Sequence, residues 1–169
     1  MARVFPGVIK MPNYIAVKRY LFFNDILNND EDIRLMLLHE LQHVKDRFTD
    51  IRLAGFSITE LYMQGQLSEK FYALVREIRA RYEVVKEIFR NMSLGNKQPF
   101  SQQCISSLLY DYYVYLSSLE DYRGSSVEET IRRSQLNLLR NIKIEHISNG
   151  IKFSCNIFRR GDFLVLQER

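Results

Sequence analysis

The sequence predicts an α+β fold that is mainly helical, with a short N-terminal sheet and a C-terminal β-hairpin or three-strand unit. Helix caps and helical periodicity recur between about residues 30 and 140. From Ile142 onwards apolar and polar residues alternate, and Asn149–Gly150 is a strong hairpin-turn signal. Residues 3–23 mix β-branched and aromatic residues with proline and glycine, which is typical of short strands.

The N-terminal elements follow from these signals. Val8–Met11 and Tyr14–Tyr20 are predicted as strands around a Pro12–Asn13 turn. The polar residues 28–30 suit a helix N-cap, and the acidic residues at 31 and 32 favour the first turn of a helix. We therefore expect a first helix from about Asp30 to Leu53.

Later elements are predicted by cap and turn residues. A short helix fits between Gly55 and Gly65, and residues 95–99 form a clear break. Ser126-Val-Glu-Glu129 matches a capping box. The remaining helices are expected at Ser68 to about Asn91, Phe100 to Tyr122 and Ser126 to about Arg140, and the last strand at Phe163–Leu166 after a turn at residues 160–162.

Composition bounds the class of protein. The 169 residues are 46% hydrophobic and 26% charged, as in a soluble globular protein. They suit one domain, divided into a core at 1–95, a helical extension at 96–141 and a hairpin unit at 142–169. The net charge of +4 is dispersed, so no nucleic-acid partner is expected.

No apolar run reaches the ~18 residues of a membrane span. Without a signal core or a C-x-x-C pair, a cytoplasmic protein with reduced Cys104 and Cys155 is expected, of open oligomeric state.

The first helix carries the pattern with chemical content. His39 and His43 lie four residues apart, so their side chains share one face about 5–6 Å apart at Cβ. Two imidazoles at that spacing can bind one tetrahedral metal ion. Glu40 lies about 100° round the helix, where its carboxylate can reach a metal-bound water. This H-E-x-x-H pattern predicts a zinc site with a general base.

An apolar stripe on the same helix bears on the alternative interpretation. The histidines point away from its centre, so packing in a hydrophobic core does not explain them. The remaining alternative is a surface helix with two incidental histidines. The stripe consists of Ile33, Leu37, Leu41, Val44, Phe48 and Ile51.

Glu77 is the best candidate for the third protein ligand that a catalytic zinc needs. It lies at the edge of the apolar stripe of the Ser68 helix, between Ala73 and Ala80, where an unpaired carboxylate is costly. The alternative is a Glu77–Arg81 surface pair. Glu60 stays open as a ligand, because the stretch after Gly55 has no firm orientation.

The histidine helix itself carries two more carboxylates. Asp46 and Asp50 climb away from a metal held between the histidines, so they are poor ligands. Either one is instead a candidate for orienting a histidine through its second ring nitrogen.

The histidine motif and the later Glu77-Ile-Arg-Ala80 resemble the gluzincin metallopeptidases, whose motifs are H-E-x-x-H and E-x-x-A. Within them the chain is most similar to the β-lactam-sensor and antirepressor peptidases of the BlaR/MecR type. Residues 7–12, 29–32 and 37–45 fit the strand, acidic helix start and metal motif of that family. The resemblance covers roughly residues 5–90. The chain departs from it at Phe48 and Arg81, where an aspartate is common, and by lacking transmembrane helices.

The resemblance and the spacing imply hydrolysis of a peptide or protein substrate. Zinc lowers the pKa of its bound water, and Glu40 takes the proton and passes it to the leaving amine. The second donor that stabilises the tetrahedral intermediate is left open among Tyr110, Tyr112, Tyr113, Tyr115 and His146. Two other interpretations stay open: a non-catalytic or degenerate zinc-binding regulatory module, and a helical adaptor that presents its tyrosine-rich helix to a partner.

Overall fold

The computed structural model describes residues 29–95, 99–158 and 161–167. The predicted strands Val8–Met11 and Tyr14–Tyr20, and the sheet that they were expected to form, lie outside these residues. Within the described part, helices and antiparallel strands occupy separate segments of the chain, which confirms the predicted α+β class. The helices are α1 (Asp30–Phe48), α2 (Ile58–Met63), α3 (Glu69–Ser93), α4 (Gln102–Asp121) and α5 (Ser126–Leu139). The strands are β1 (Arg52–Leu53), β2 (Phe56–Ser57), β3 (Ile142–Ile147), β4 (Gly150–Cys155) and β5 (Phe163–Gln167).

Helix α1 is shorter than predicted. The Asn29 side chain caps its first turn, as the polar cluster indicated, but the helix ends at Phe48 and not at Leu53. Thr49 takes an extended backbone, and the chain then forms the β1–β2 hairpin, which the sequence did not predict. Its two-residue turn has positive φ at both positions, 52° at Ala54 and 83° at Gly55, as a type I′ turn requires. Alanine is a rare residue for that conformation, so the sequence pattern concealed the turn.

The buried face of α1 is not its apolar stripe. Leu41 and Phe48 from that stripe are 54% and 77% exposed, whereas Glu40, His43 and Asp46 are buried. The histidines do lie away from the apolar stripe, but the side of the helix that carries His43 is buried and much of the stripe is not. Polar groups tolerate this burial where they find partners on a neighbouring helix, and α1 packs against α3.

The N-termini of α3, α4 and α5 are capped by serines. Ser68, Ser101 and Ser125 each accept a hydrogen bond from a backbone N–H in the first turn. The capping box of α5 is formed by Ser125 and Glu128, one residue before the predicted Ser126–Glu129 pair. Both pairs match the sequence pattern. The observed one is favoured because the Glu128 carboxylate also accepts hydrogen bonds from the backbone and hydroxyl of Ser68.

The predicted C-terminal hairpin is confirmed, and a third strand completes an antiparallel sheet in the order β3-β4-β5. Ile147 pairs with Gly150, so Ser148 and Asn149 form the turn, one residue earlier than predicted. Gly150 opens β4 with φ of 147°, and a Cβ there would lie 2.1 Å from the carbonyl oxygen of Leu166 on β5. Glycine is thus needed at this position both for the positive φ and for the close approach of β5.

Helix α3 is the centre of the described structure, with α1 and α4 packed along it. The buried hydrophobic side chains form one cluster that runs from α1 to the C-terminal sheet. Its largest fully buried members include Phe71 and Phe89 of α3, Tyr112 of α4, Ile131 of α5 and Phe153 of β4. No helix in the described ranges combines the length and the apolar character of a membrane span.

Candidate metal centre

His39 and His43 lie on successive turns of α1 and direct their rings to one point. The ring centroids are 4.8 Å apart, and the two Nε2 atoms are separated by 3.2 Å. Two nitrogens bound at about 2.05 Å to one tetrahedral zinc lie about 3.3 Å apart. The local geometry of the helix therefore sets the two imidazoles at the spacing that a shared ion requires.

Glu77 of α3 faces these two rings. One carboxylate oxygen lies 3.2 Å from Nε2 of His43, and the other lies 3.6 Å from Nε2 of His39. One ligand atom from each of the three residues falls within 4.8 Å of the others, and no other such group of His, Cys, Asp or Glu occurs among the described residues. The packing of α3 on α1 thus adds an oxygen donor to the two nitrogens, a donor set that suits zinc.

Two of these donors have shifted pKa values. Burial, together with the charges of Arg81 and His43, lowers the pKa of His39 to about 3. Burial opposes ionisation of Glu77, but hydrogen bonds from His43 and Arg81 outweigh it and hold its pKa at about 2. At neutral pH His39 is a neutral imidazole and Glu77 is a carboxylate, which are the forms that bind a metal ion.

Glu40 follows His39 directly and is only 4% exposed. Its carboxylate has no hydrogen bond or ion pair within the described ranges, and burial raises its pKa. A buried carboxylate without a partner destabilises the fold unless it serves another purpose. The charges of His43 and Glu77 both act on it. Glu40 therefore lies next to His39 with a carboxylate that is available to accept a proton.

Arg81 is the residue of this centre that sequence reasoning did not place there. Its Nη1 hydrogen bonds to the Glu77 carboxylate and to the Glu77 backbone carbonyl oxygen, the latter at 3.3 Å. Its guanidinium lies 3.7 Å from the centroid of the Tyr115 ring, and the residue is only 6% exposed. The predicted alternative for Glu77 was a surface pair with Arg81. The pair forms, but it is not a surface pair, because Arg81 is buried and Glu77 also contacts the histidines. The departure from the family pattern at position 81 was the available signal.

The two candidates for orienting a histidine have other partners. Asp46 is buried and accepts a hydrogen bond from Gln42 at 2.7 Å, with Arg79 3.5 Å away. Asp50 lies beyond the end of α1 and pairs with Arg52 at 2.6 Å. Nδ1 of His43 is buried and has no hydrogen-bond partner in the described part of the chain. The structure therefore brings neither aspartate to that nitrogen.

The remaining candidates divide by location. Glu60 is exposed at the start of α2. Tyr112 is fully buried in the core, and Tyr113 lies against His146 with their ring centroids 5.8 Å apart. Tyr110 is 56% exposed. Tyr115 is thus the tyrosine from the candidate set that contacts the centre, through Arg81.

The centre can hold one divalent cation between two helices, next to a carboxylate that is free to accept a proton. No family model, curated protein or solved structure matches this chain.

Proposed function

We propose that the chain is a zinc-dependent metallopeptidase that hydrolyses peptide bonds, as its resemblance to the gluzincins implies. The observation that carries this proposal is the meeting of His39, His43 and Glu77 beside the buried Glu40, which pairs with none of the described residues. A helix with incidental histidines would have no reason to face a carboxylate from another helix. We also propose that it acts in the cytoplasm, since Cys104 and Cys155 are both free thiols.

Three of these residues are metal ligands in this proposal, and the fourth transfers a proton. His39, His43 and Glu77 would hold the zinc ion, whose chemistry is to acidify a water molecule and to polarise the carbonyl of the substrate. Glu40 accepts a proton from the attacking water at its carboxylate and later donates it to the leaving amine. Burial of Glu40 keeps this carboxylate out of bulk water, so it stays available to the reacting groups.

A zinc-binding module without catalysis is the second candidate. The bond between Arg81 and Glu77 favours it, because a cation already neutralises the third ligand. Glu40 favours the enzyme instead, since a structural site is closed by four protein ligands and has no use for a base. A third candidate, the helical adaptor, predicts a protein that binds no zinc.

The decisive experiment compares the chain with its Glu40→Gln variant. We expect both to bind one zinc ion per chain in metal analysis, because Glu40 is assigned to proton transfer and not to ligation. Hydrolysis of an unfolded protein such as casein should fall by at least about 10³-fold in the variant. Equal zinc content with no hydrolysis by either protein would support the non-catalytic module, and loss of zinc from the variant would make Glu40 a ligand.

A further inference from the structure

Arg81 has hydrogen-bond donors for which the described part of the chain supplies no acceptor. A guanidinium carries five N–H groups. The Nη1 atom serves Glu77, whereas Nε is buried without a partner and Nη2 makes no hydrogen bond to any described residue. Nε and Nη2 form one edge of the planar group, and that edge is the fork that binds a carboxylate through two parallel hydrogen bonds.

The guanidinium is also held in place before any ligand arrives. The Tyr115 ring covers one of its faces, and Glu77 holds Nη1. Asp111 lies one turn before Tyr115 on α4. The charge of Arg81 acts to lower the pKa of Asp111, but the two side chains form no ion pair. A buried cation with an unfilled fork is costly for the fold, and a pre-oriented one loses little entropy when an anion binds.

We propose that Arg81 binds the C-terminal carboxylate of the substrate, so that the protein removes the last residue of a peptide. This inference rests on the proposed peptidase function. Arg81 contacts Glu77, which in turn contacts both histidines, so one carboxylate separates the guanidinium from the candidate metal position. One peptide residue spans about 3.5 Å, so a bond cut at the metal places the C-terminal carboxylate within reach of Arg81.

The reaction is a simple hydrolysis. The oxygen of water bonds to the carbonyl carbon of the last peptide bond, and the C–N bond breaks. One proton of the water passes through Glu40 to the leaving amine, and the products are a shortened peptide and a free amino acid. Arg81 takes no part in the proton transfer. It acts by holding the carboxylate of the leaving residue.

The first test uses the zinc-loaded full chain and two peptides that differ only at the C-terminus. The peptide with a free carboxylate should lose its last residue at least about tenfold faster than the peptide with a C-terminal amide, because only the former can form the charge-assisted pair. Product masses identify the bond that is cut. Equal rates for the two peptides, or cleavage at internal bonds alone, would overturn the Arg81 assignment while leaving the peptidase intact.

The second test measures binding without catalysis. N-acetylalanine and its amide are titrated against the zinc-loaded chain, and the acid should bind at least about tenfold more tightly. Arg81→Gln should remove this difference, and Arg81→Lys should keep part of it, since lysine retains the charge but not the fork. Arg90→Gln, which removes the same charge from an exposed position on α3, is the matched control and should bind like the original.

Together, the two tests distinguish failure of the peptidase proposal from failure of the Arg81 carboxylate subsite. A chain that binds zinc and prefers the acid, and loses that preference with Arg81→Gln, but cuts no peptide would disprove the peptidase and retain the carboxylate subsite. A chain that binds acid and amide equally, or an Arg81→Gln variant that folds and keeps the preference, would refute the subsite. If Arg81→Gln does not fold, Arg81→Lys decides: a reduced preference for the acid supports the subsite, and an unchanged preference refutes it.

Discussion

Glu77 contacts three side chains at once, and each contact has a different consequence. His39 and His43 make it a candidate ligand, and Arg81 holds it as a carboxylate. A buried ion pair is weak support for the stability of a fold, because both charges lose their hydration. The pair is better explained as a means of holding the Glu77 carboxylate towards the two imidazoles.

Replacement of Glu77 tests whether its carboxylate is a zinc ligand. Glu77→Ala should weaken zinc binding at least about 100-fold, because it removes one of three protein ligands. Glu77→Gln should give a similar loss while keeping a hydrogen-bond acceptor for Nη1 of Arg81. Competition with a chromophoric zinc chelator measures both affinities.

Glu83→Ala is the control for this experiment. Glu83 lies on the same helix and pairs with Lys86 at 2.9 Å, apart from the histidines. Its loss should leave zinc affinity unchanged. If Glu83→Ala and Glu77→Ala bind zinc equally well, the third ligand is some other group.

At the scale of elements, Glu128 joins the starts of two helices. One oxygen accepts from the backbone and hydroxyl of Ser68 at the N-cap of α3, and the other accepts from the backbone of Ser125 at the N-cap of α5. Burial opposes its ionisation, but these hydrogen bonds lower its pKa below the usual value. The Glu128 carboxylate therefore connects the N-terminus of α3, the helix that carries Glu77, to the N-terminus of α5.

Removal of this carboxylate should destabilise the fold in a pH-dependent manner. Glu128→Ala should lower the free energy of unfolding by about 2 kcal/mol at pH 7, since three hydrogen bonds are lost. The pKa of Glu128 is depressed in the folded state, so its contribution is complete above about pH 4.5, the unfolded value, and disappears as the pH falls through the lower folded value. Urea unfolding at several pH values should show the difference between the two proteins shrinking towards acid.

Glu129→Ala distinguishes the observed capping box from the one that the sequence pattern equally allowed. Glu129 pairs with Arg132 one turn later, at 2.9 Å. Its loss should destabilise the fold far less than the loss of Glu128, because a partly exposed i,i+3 ion pair contributes little. A larger effect of Glu129→Ala than of Glu128→Ala would place the cap one residue later than the structure does.

For the whole molecule, the candidate centre links α1 to α3, the helix at the middle of the core. An ion that binds only the folded chain stabilises it by mass action, by about 2.7 kcal/mol at a concentration of 100 Kd. Zinc should accordingly raise the Tm by about 5–10 °C, and EDTA should reverse the shift. Thermal melts followed by circular dichroism measure this directly.

Two comparisons make the melting experiment specific. Mg²⁺ should produce little shift, because it prefers oxygen ligands to imidazole. The Glu77→Ala variant should lose most of the response to zinc, since its two histidines share one helix and no longer connect α1 to α3. A shift of equal size in that variant would show that zinc acts elsewhere on the chain.

Features that depend only on neighbours along the chain could be predicted from the sequence. The four-residue spacing of His39 and His43 places both imidazoles on one face of α1, where their Nε2 atoms lie 3.2 Å apart. The serine cap at Ser68 and the alternating C-terminal strands are equally local, because each depends on a few consecutive residues. Even so, neighbouring residues offered equivalent choices at the capping box and at the hairpin turn, and both predictions were wrong by one residue.

Tertiary structure decided which groups meet across elements. The histidine face of α1 is buried because α3 offers polar partners there, whereas periodicity in α1 marked the opposite face as apolar. The capping register of α5 depends on Ser68, which belongs to another helix. The Glu77–Arg81 contact follows from i,i+4 spacing on α3, but the burial of Arg81 depends on α4, which brings Tyr115 over the guanidinium. Such pairings depend on the energies of contacts between distant segments, which no local pattern in a single sequence contains.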